Sequence, residues 1–446
     1  MTTSLITGPV TGHLRRQAAP MALGLVAIFS FEAVDLFFIA QLGDAPLAAI
    51  SFTFPVIWLL IGIGIGFEAG ASSCVSRAVG RGDQQLARRL TTDTALLATL
   101  VAFGLCVIGL LTIRPVFSLL GATEELMPLI EDYMGIWYWL EPAETCMWTC
   151  LAAIRARGYA ILEGKIITAA ALLNAALDPI FIFGLFGFPR LEIQGAALAS
   201  LVANLVMLAF TLFHLHRRMG VFANPIAPLN EILASWRHML SIGIPAMMTN
   251  AIIPISNGIV VAMIATYGID AVAGFGIAMR IEPMALIPFY ALSAVSSPFA
   301  GQNFAAGKYQ RLFEARRAVA WFCFGFGVLL IIVFSLVANP LTGLFSETEA
   351  IREIAVRYLW IVSVSYGAYG LVMSVCASFN GMGTPLPAVV ISASRVIFIF
   401  LPLAFIGRWV FGLQGLFIAS ALANLTVGIW AYVWLGKRIS THNSLA

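Results

Sequence analysis

Residues 194–205 read QGAALASLVANL, and residues 414–425 read QGLFIASALANL. Gln194-Gly195, Ala199-Ser200 and Ala203-Asn204-Leu205 thus recur as Gln414-Gly415, Ala419-Ser420 and Ala423-Asn424-Leu425, 220 residues later. Further back the offset becomes 225, and it pairs Pro20 with Pro245, Gly43 with Gly268, Gly82 with Gly307 and Gly158 with Gly383. Self-similarity sustained over half a chain marks a duplicated architecture.

What is duplicated is apolar. Of 446 residues, 60% are hydrophobic and 11% charged, with a mean hydropathy of +0.94, whereas soluble domains carry about 25% charged residues. A bilayer core of about 30 Å takes about 20 apolar residues per helix. Hydropathy places spans near 17–41, 47–72, 91–113, 128–152, 164–186 and 194–214, then 240–266, 272–298, 316–338, 354–378, 386–406 and 412–435. The expected fold is therefore an all-α integral membrane protein with twelve transmembrane helices in two six-helix bundles. Six is even, so both repeats enter the membrane from the same side, and a parallel pseudo-twofold repeat is expected. The lobes are expected at 1–219 and 240–446, with residues 220–239, which carry Pro225 and Pro228, as a cytoplasmic linker.

Charge placement orients this scheme. Of 25 Lys and Arg, Arg114, Arg190, Arg352, Arg357 and Arg408 fall on one side of the membrane and Arg280 and Arg395 fall within spans. The rest collect on the other side. By the positive-inside rule that side is the cytoplasm, holding both termini of a multi-pass inner (plasma) membrane protein. A net charge of +3 gives no reason to expect a nucleic acid partner. The six cysteines lie in apolar stretches without metal-ligand spacing. The five histidines (His13, His214, His216, His238 and His442) sit at or beyond helix ends, so neither an enzyme, a cofactor nor a bound metal is expected.

Two paired lobes suit a carrier that opens a midplane site to each side in turn. Ionisable groups within spans are costly and are the first candidates for function. They are Glu32 and Asp35 in helix 1, Glu68 in helix 2, Glu141 and Glu144 in helix 4, and Asp178 in helix 5, with Arg280 and Glu282 in helix 8 and Arg395 in helix 11. At the repeat offsets Glu32 meets Asn257, Asp35 meets Val260 and Asp178 meets Phe398, so these acids are not duplicated and point to a first-lobe site. Glu32 and Asp35 share one helix face, and Asn174 and Asp178 share another. Carboxylates gathered in a desolvated pocket cannot all keep their charge, so a proton is expected to be shared among them. Asn250 and Asn257 share a face of helix 7. Phe29, Phe31, Phe37, Phe38, Trp137, Trp139 and Phe289 are aromatic candidates for lining a cavity, with lipid or helix contact as the alternative. Gly62, Gly66 and Gly70 form a small-residue stripe suited to seating a neighbouring helix.

The whole chain resembles the multidrug and toxic compound extrusion (MATE) family. The resemblance is carried by Gly43 with Leu47-Ala48-Ala49, by Gly301-Gln302-Asn303 with Ala306-Gly307, by Phe379-Asn380-Gly381 with Gly383 and Pro385, and by Asn174 with Asp178-Pro179. It implies export of cationic or amphipathic small molecules from a membrane-embedded carrier, expected as a monomer among lipids, in exchange for protons or sodium. Asp35, Asn174 and Asp178 match the DinF-like branch, in which an arginine on helix 8, here Arg280, is also tied to transport. Acids expected on helices 7 and 10 in the NorM-like branch are missing here. Where some members carry a helix-6 hydroxyl for sodium, this chain has Ala196 and Ala197, with Ser200 a turn later, so the proton is the favoured coupling ion and sodium the alternative. A lipid-linked saccharide flippase of the same superfamily would need more helices and a basic cavity. The expected mechanism neutralises Asp35 and Asp178 by protonation from outside. Helix 1, bent near Pro20, then repacks so that the cargo leaves.

Overall fold

A computed structural model of the chain describes residues 5–444; the ends of both expected lobes lie outside them. The described residues are helical and contain no strand. Fourteen α-helices run α1 (Val10–Ala40), α2 (Asp44–Gly80), α3 (Gln84–Leu119), α4 (Met127–Arg155), α5 (Ala160–Phe183), α6 (Glu192–His214) and α7 (Leu229–Ala265). They continue with α8 (Ile269–Ala305), α9 (Tyr309–Gly343), α10 (Glu349–Ser363), α11 (Tyr366–Gly381), α12 (Leu386–Ala393), α13 (Leu401–Phe411) and α14 (Leu413–Asn443).

Among the described residues, ten helical stretches are long and apolar enough to cross a membrane. The pair α10 and α11, bent by 58° at a short break, makes one more. The helix outside that set is α4, whose 29 residues are long enough at 1.5 Å per residue but carry Glu131, Asp132, Glu141 and Glu144. Counting it gives twelve spans, with α12, the π-helical segment Ser394–Phe400 and α13 forming one of them.

The described residues form two compact units, one of residues 20–243 and one that joins residues 5–19 to 244–444. These bounds differ from a division at 219 and 240, and the hydrogen bonds give the reason. In the first unit the connecting stretch is tied down: Ala223 N–H donates to Thr92 Oγ1 at 2.9 Å, Arg89 Nη1 to the Asn224 carbonyl at 2.6 Å, and Trp236 Nε1 to the Asp93 carbonyl at 2.9 Å. In the second unit the Gly301-Gln302-Asn303 motif holds the amino-terminal segment. Leu5 N–H donates to Gln302 Oε1 at 3.0 Å, and the Leu5 carbonyl accepts from Asn303 Nδ2 and Arg311 Nη2 at 3.2 and 2.9 Å.

The repeated glycines have a common cause. Gly43 and Gly268 have φ of 115° and 106°, Gly82 and Gly307 79° and 67°, and Gly158 and Gly383 89° and 79°, so each repeat turns at the same places with a left-handed residue that favours glycine. Gly195 and Gly415, from the opening motif, serve close approach instead. A Cβ on Gly195 would lie 2.5 Å from the Phe181 carbonyl oxygen, and one on Gly415 would overlap the Gly407 carbonyl. In the stripe on α2, Gly70 and Gly66 seat the start of α7 through Met239 and Gly243, while Gly62 has no such neighbour.

The first unit packs Ile39, Phe117, Met127, Ile130, Met134 and Trp137 into one core. The second unit centres on Phe379, Ile391, Val427 and Ala431. All six cysteines are unpaired.

Candidate functional site

Three helices of the first unit bring its acids together. α1 carries Glu32 and Asp35, α4 carries Glu141 and Glu144, and α5 carries Asn174 and Asp178. Asp178 is fully buried and Asn174 nearly so, and Asn174 Nδ2 donates to Asp178 Oδ1 at 3.3 Å. α6 adds Ser200, whose hydroxyl donates to Asn174 Oδ1 at 3.3 Å. The helix-6 hydroxyl therefore does reach the cluster, one turn beyond Ala196 and Ala197.

Asp35 is close enough for its charge to act on Asp178, Glu32 acts on Asp35, and Glu144 acts on Glu32 and Glu141. Tyr133, buried on α4, is near enough for the charges of Asp35, Asp178 and Glu144 to act on it. No ion pair involves Glu32, Asp35, Glu141, Glu144 or Asp178 among the described residues. Asp35 Oδ1 and Asp178 Oδ2 are buried without a hydrogen-bond partner. Such oxygens are costly in a low-dielectric site unless a proton or a cation meets them. Glu141 and Glu144 each have a local partner one turn on: Thr145 Oγ1 donates to Glu141 at 2.9 Å and Trp148 Nε1 to Glu144 at 3.2 Å.

Glu68 belongs elsewhere. It pairs with Arg155, which also pairs with Glu163, so a buried guanidinium held between two carboxylates ties α2, α4 and α5. Sequence reasoning missed Glu163 and placed Arg155 among the loop cations. The two lie eight residues apart across a turn, a spacing that does not announce a pair.

In the second unit Glu282 accepts the Tyr358 hydroxyl at 2.6 Å. Arg280 and Asn257 are exposed, and Asn250 Nδ2 donates to the Ala246 carbonyl of its own helix at 2.9 Å. Pro20 stays within a continuous α1, its carbonyl packed on Gly164 of α5. Of the aromatic candidates, Phe289 is fully buried and packs edge-on to Phe322 and Phe326 as core. Trp137 is likewise core, and Phe37 and Trp139 are exposed.

Fold and site together define a multi-pass integral membrane protein made of a duplicated six-helix unit with a buried acidic cluster in one copy. The MatE family model matches residues 20–180 and 245–406, and the chain belongs to this family of membrane transporters. It is 36% identical to a protein of Shewanella oneidensis described as an FAD transporter, over 98% of this chain and 96% of that one. It is 26% identical to the multidrug export protein MepA of Staphylococcus aureus, over the same shares of the two chains. Among solved structures it matches the Vibrio cholerae MATE transporter VcmN in its bent form with a TM-score of 0.92 and 29% identity, covering 97% of this chain and 98% of that one.

Proposed function

We propose that this protein is a proton-driven exporter of organic small molecules, in which Asp35 and Asp178 take up a proton from outside as cargo is released. It works as a monomer with both termini in the cytoplasm. One observation carries the reading: a half-buried Asp35 and a buried Asp178, within reach of each other's charge, have no cationic partner among the described residues and leave Oδ1 of Asp35 and Oδ2 of Asp178 unmet. A proton is the smallest counter-charge that satisfies them. Asn174, braced by Ser200, holds Asp178 in place through both states. Protonation removes the charge that attracts a cationic cargo, and a ligand shifts a carrier only by its different affinity for the two states. One proton moving through 100 mV supplies about 2.3 kcal/mol.

The acidic cluster favours cationic, amphipathic drugs of the kind implied by the MepA relationship. A second cargo, flavin dinucleotide, is favoured by the higher identity to the FAD transporter across almost the whole of both chains. Cells expressing the protein should accumulate less ethidium if the first holds, and release more FAD if the second does. In either case Asp35→Asn, expressed and inserted at the wild-type level, should abolish the effect. Undiminished export by that variant would refute the exchange mechanism.

A further inference from the structure

The second unit holds a charged cluster that this exchange leaves unused. At the break between α10 and α11, Asn424 Nδ2 donates to Ser365 Oγ at 3.0 Å, and Ser365 Oγ–H donates to the Val362 carbonyl at 2.8 Å. Asn424 Oδ1 accepts from Arg395 Nη1 at 3.2 Å. The Arg395 guanidinium lies over the Tyr369 ring, 4.8 Å from its centre. One edge and one face of the guanidinium are thus fixed, while the rest of its donors are left for another partner. Arg395 forms no ion pair among the described residues. Glu282 is near enough for the two charges to act on each other, but its carboxylate takes the Tyr358 hydroxyl.

Three features of the backbone converge on this side chain. Arg395 lies inside a span, where a charge is costly and marks function. It sits in the π-helical segment Ser394–Phe400, just before Pro402, which lacks the N–H needed to close the ladder; such wide turns cluster at functional sites. The neighbouring span is broken, and Tyr369 stands in the first turn of α11, the positive end of a half-helix, which in transporters is directed at anionic groups.

The repeat sharpens the point. Tyr366 and Tyr369 stand 225 residues after Glu141 and Glu144, and Arg395 stands 220 residues after Ala175. Where the first unit is acidic, the second carries phenols and a guanidinium. The paired asparagines diverge as well: Asn204 Nδ2 only bonds the Ser200 carbonyl of its own helix at 3.0 Å, while Asn424 bridges elements.

We propose that Arg395, with Asn424 and Tyr369, forms an anion site in the second unit that binds a phosphoester group, the chemistry shared by a dinucleotide cargo and a lipid headgroup. The guanidinium fork matches phosphate oxygens. The cargo arm rests on the flavin reading above; the site itself does not.

The test is equilibrium binding to purified full-length protein. FAD, riboflavin, which has the same ring without phosphate, and ADP are the soluble probes. Retention of phosphatidylglycerol over phosphatidylcholine in mixed nanodiscs is the lipid arm. Arg395→Gln should raise the Kd for FAD at least tenfold and leave that for riboflavin within twofold, and ADP should compete with FAD on the wild type. Glu282→Gln, which removes the opposing charge from the same network, should tighten FAD binding several-fold, whereas a merely structural role predicts weakening in both variants. Arg395-dependent retention of phosphatidylglycerol without FAD binding would uphold the anion site with lipid as its ligand and end the flavin reading. The proposal is overturned if Arg395→Gln leaves FAD, ADP and phosphatidylglycerol unchanged, or if riboflavin weakens as much as FAD. Binding is read at equilibrium with no proton gradient, which separates failure of this site from failure of proton exchange.

Discussion

Two groups of acids in the first unit differ in the company each side chain keeps. Asp35 and Asp178 have each other and an amide, with Oδ1 of Asp35 and Oδ2 of Asp178 left without a hydrogen-bond partner. Glu68 and Glu163 have Arg155 between them, so each of these carboxylates has a cationic partner. Arg155→Ala would strand two carboxylates, and breaking a buried pair in this way costs about 3–5 kcal/mol. The purified variant should melt well below the wild type. Glu68→Gln, which keeps the Arg155–Glu163 pair, should melt closer to it, and equal melting of all three proteins would show that the triad does not hold the helices.

At the scale of elements, the proposed exchange depends on how α1 meets α5, because these two helices carry Asp35 and Asp178. They pack tightly at Gly164, where an added Cβ would stand 2.5 Å from the Pro20 carbonyl oxygen. Overpacking of this kind typically costs about 1–3 kcal/mol. Gly164→Ala should therefore reduce proton-driven efflux and thermal stability together, whereas Gly104→Ala on α3, with no neighbour within 4 Å, should change neither. Efflux by Gly164→Ala at the Gly104→Ala level would show that this contact has no part in transport. The mirror-image lesson comes from α10 and α11. The sequence reads one continuous span, but Ser365 and its bond to Asn424 hold a break there.

For the whole molecule the open question is which ion drives it, and the arrangement of groups gives an expected sign. In proteoliposomes an acid pulse on the face equivalent to the cell exterior should drive cargo toward that face, and a sodium pulse at constant pH should not. Because Ser200 joins Asn174 at the cluster, Ser200→Ala is the informative companion. Proton coupling predicts that it retains pH-driven transport. Transport that answers to sodium alone, and is lost in Ser200→Ala, would replace the proton with sodium.

Fold class and repeat were legible from residue order because hydropathy and left-handed glycine turns are local properties. Asp35, Asn174 and Asp178 could be singled out as candidates because an ionisable group in a span stands out against apolar neighbours, and because spacings of three and four put side chains on one helix face. What residue order could not supply was partnership across distance. Glu68 finds Arg155 87 residues away, Tyr133 joins the acids only because α4 packs beside them, and Arg395 meets Asn424 29 residues on. The chain alone thus determined that this protein spans a membrane twelve times in two copies of one plan. Only tertiary packing decided which buried charges are neutralised by neighbours and which still need a proton or a ligand, because the energy of a charge in a low-dielectric interior depends on the few groups within reach of it.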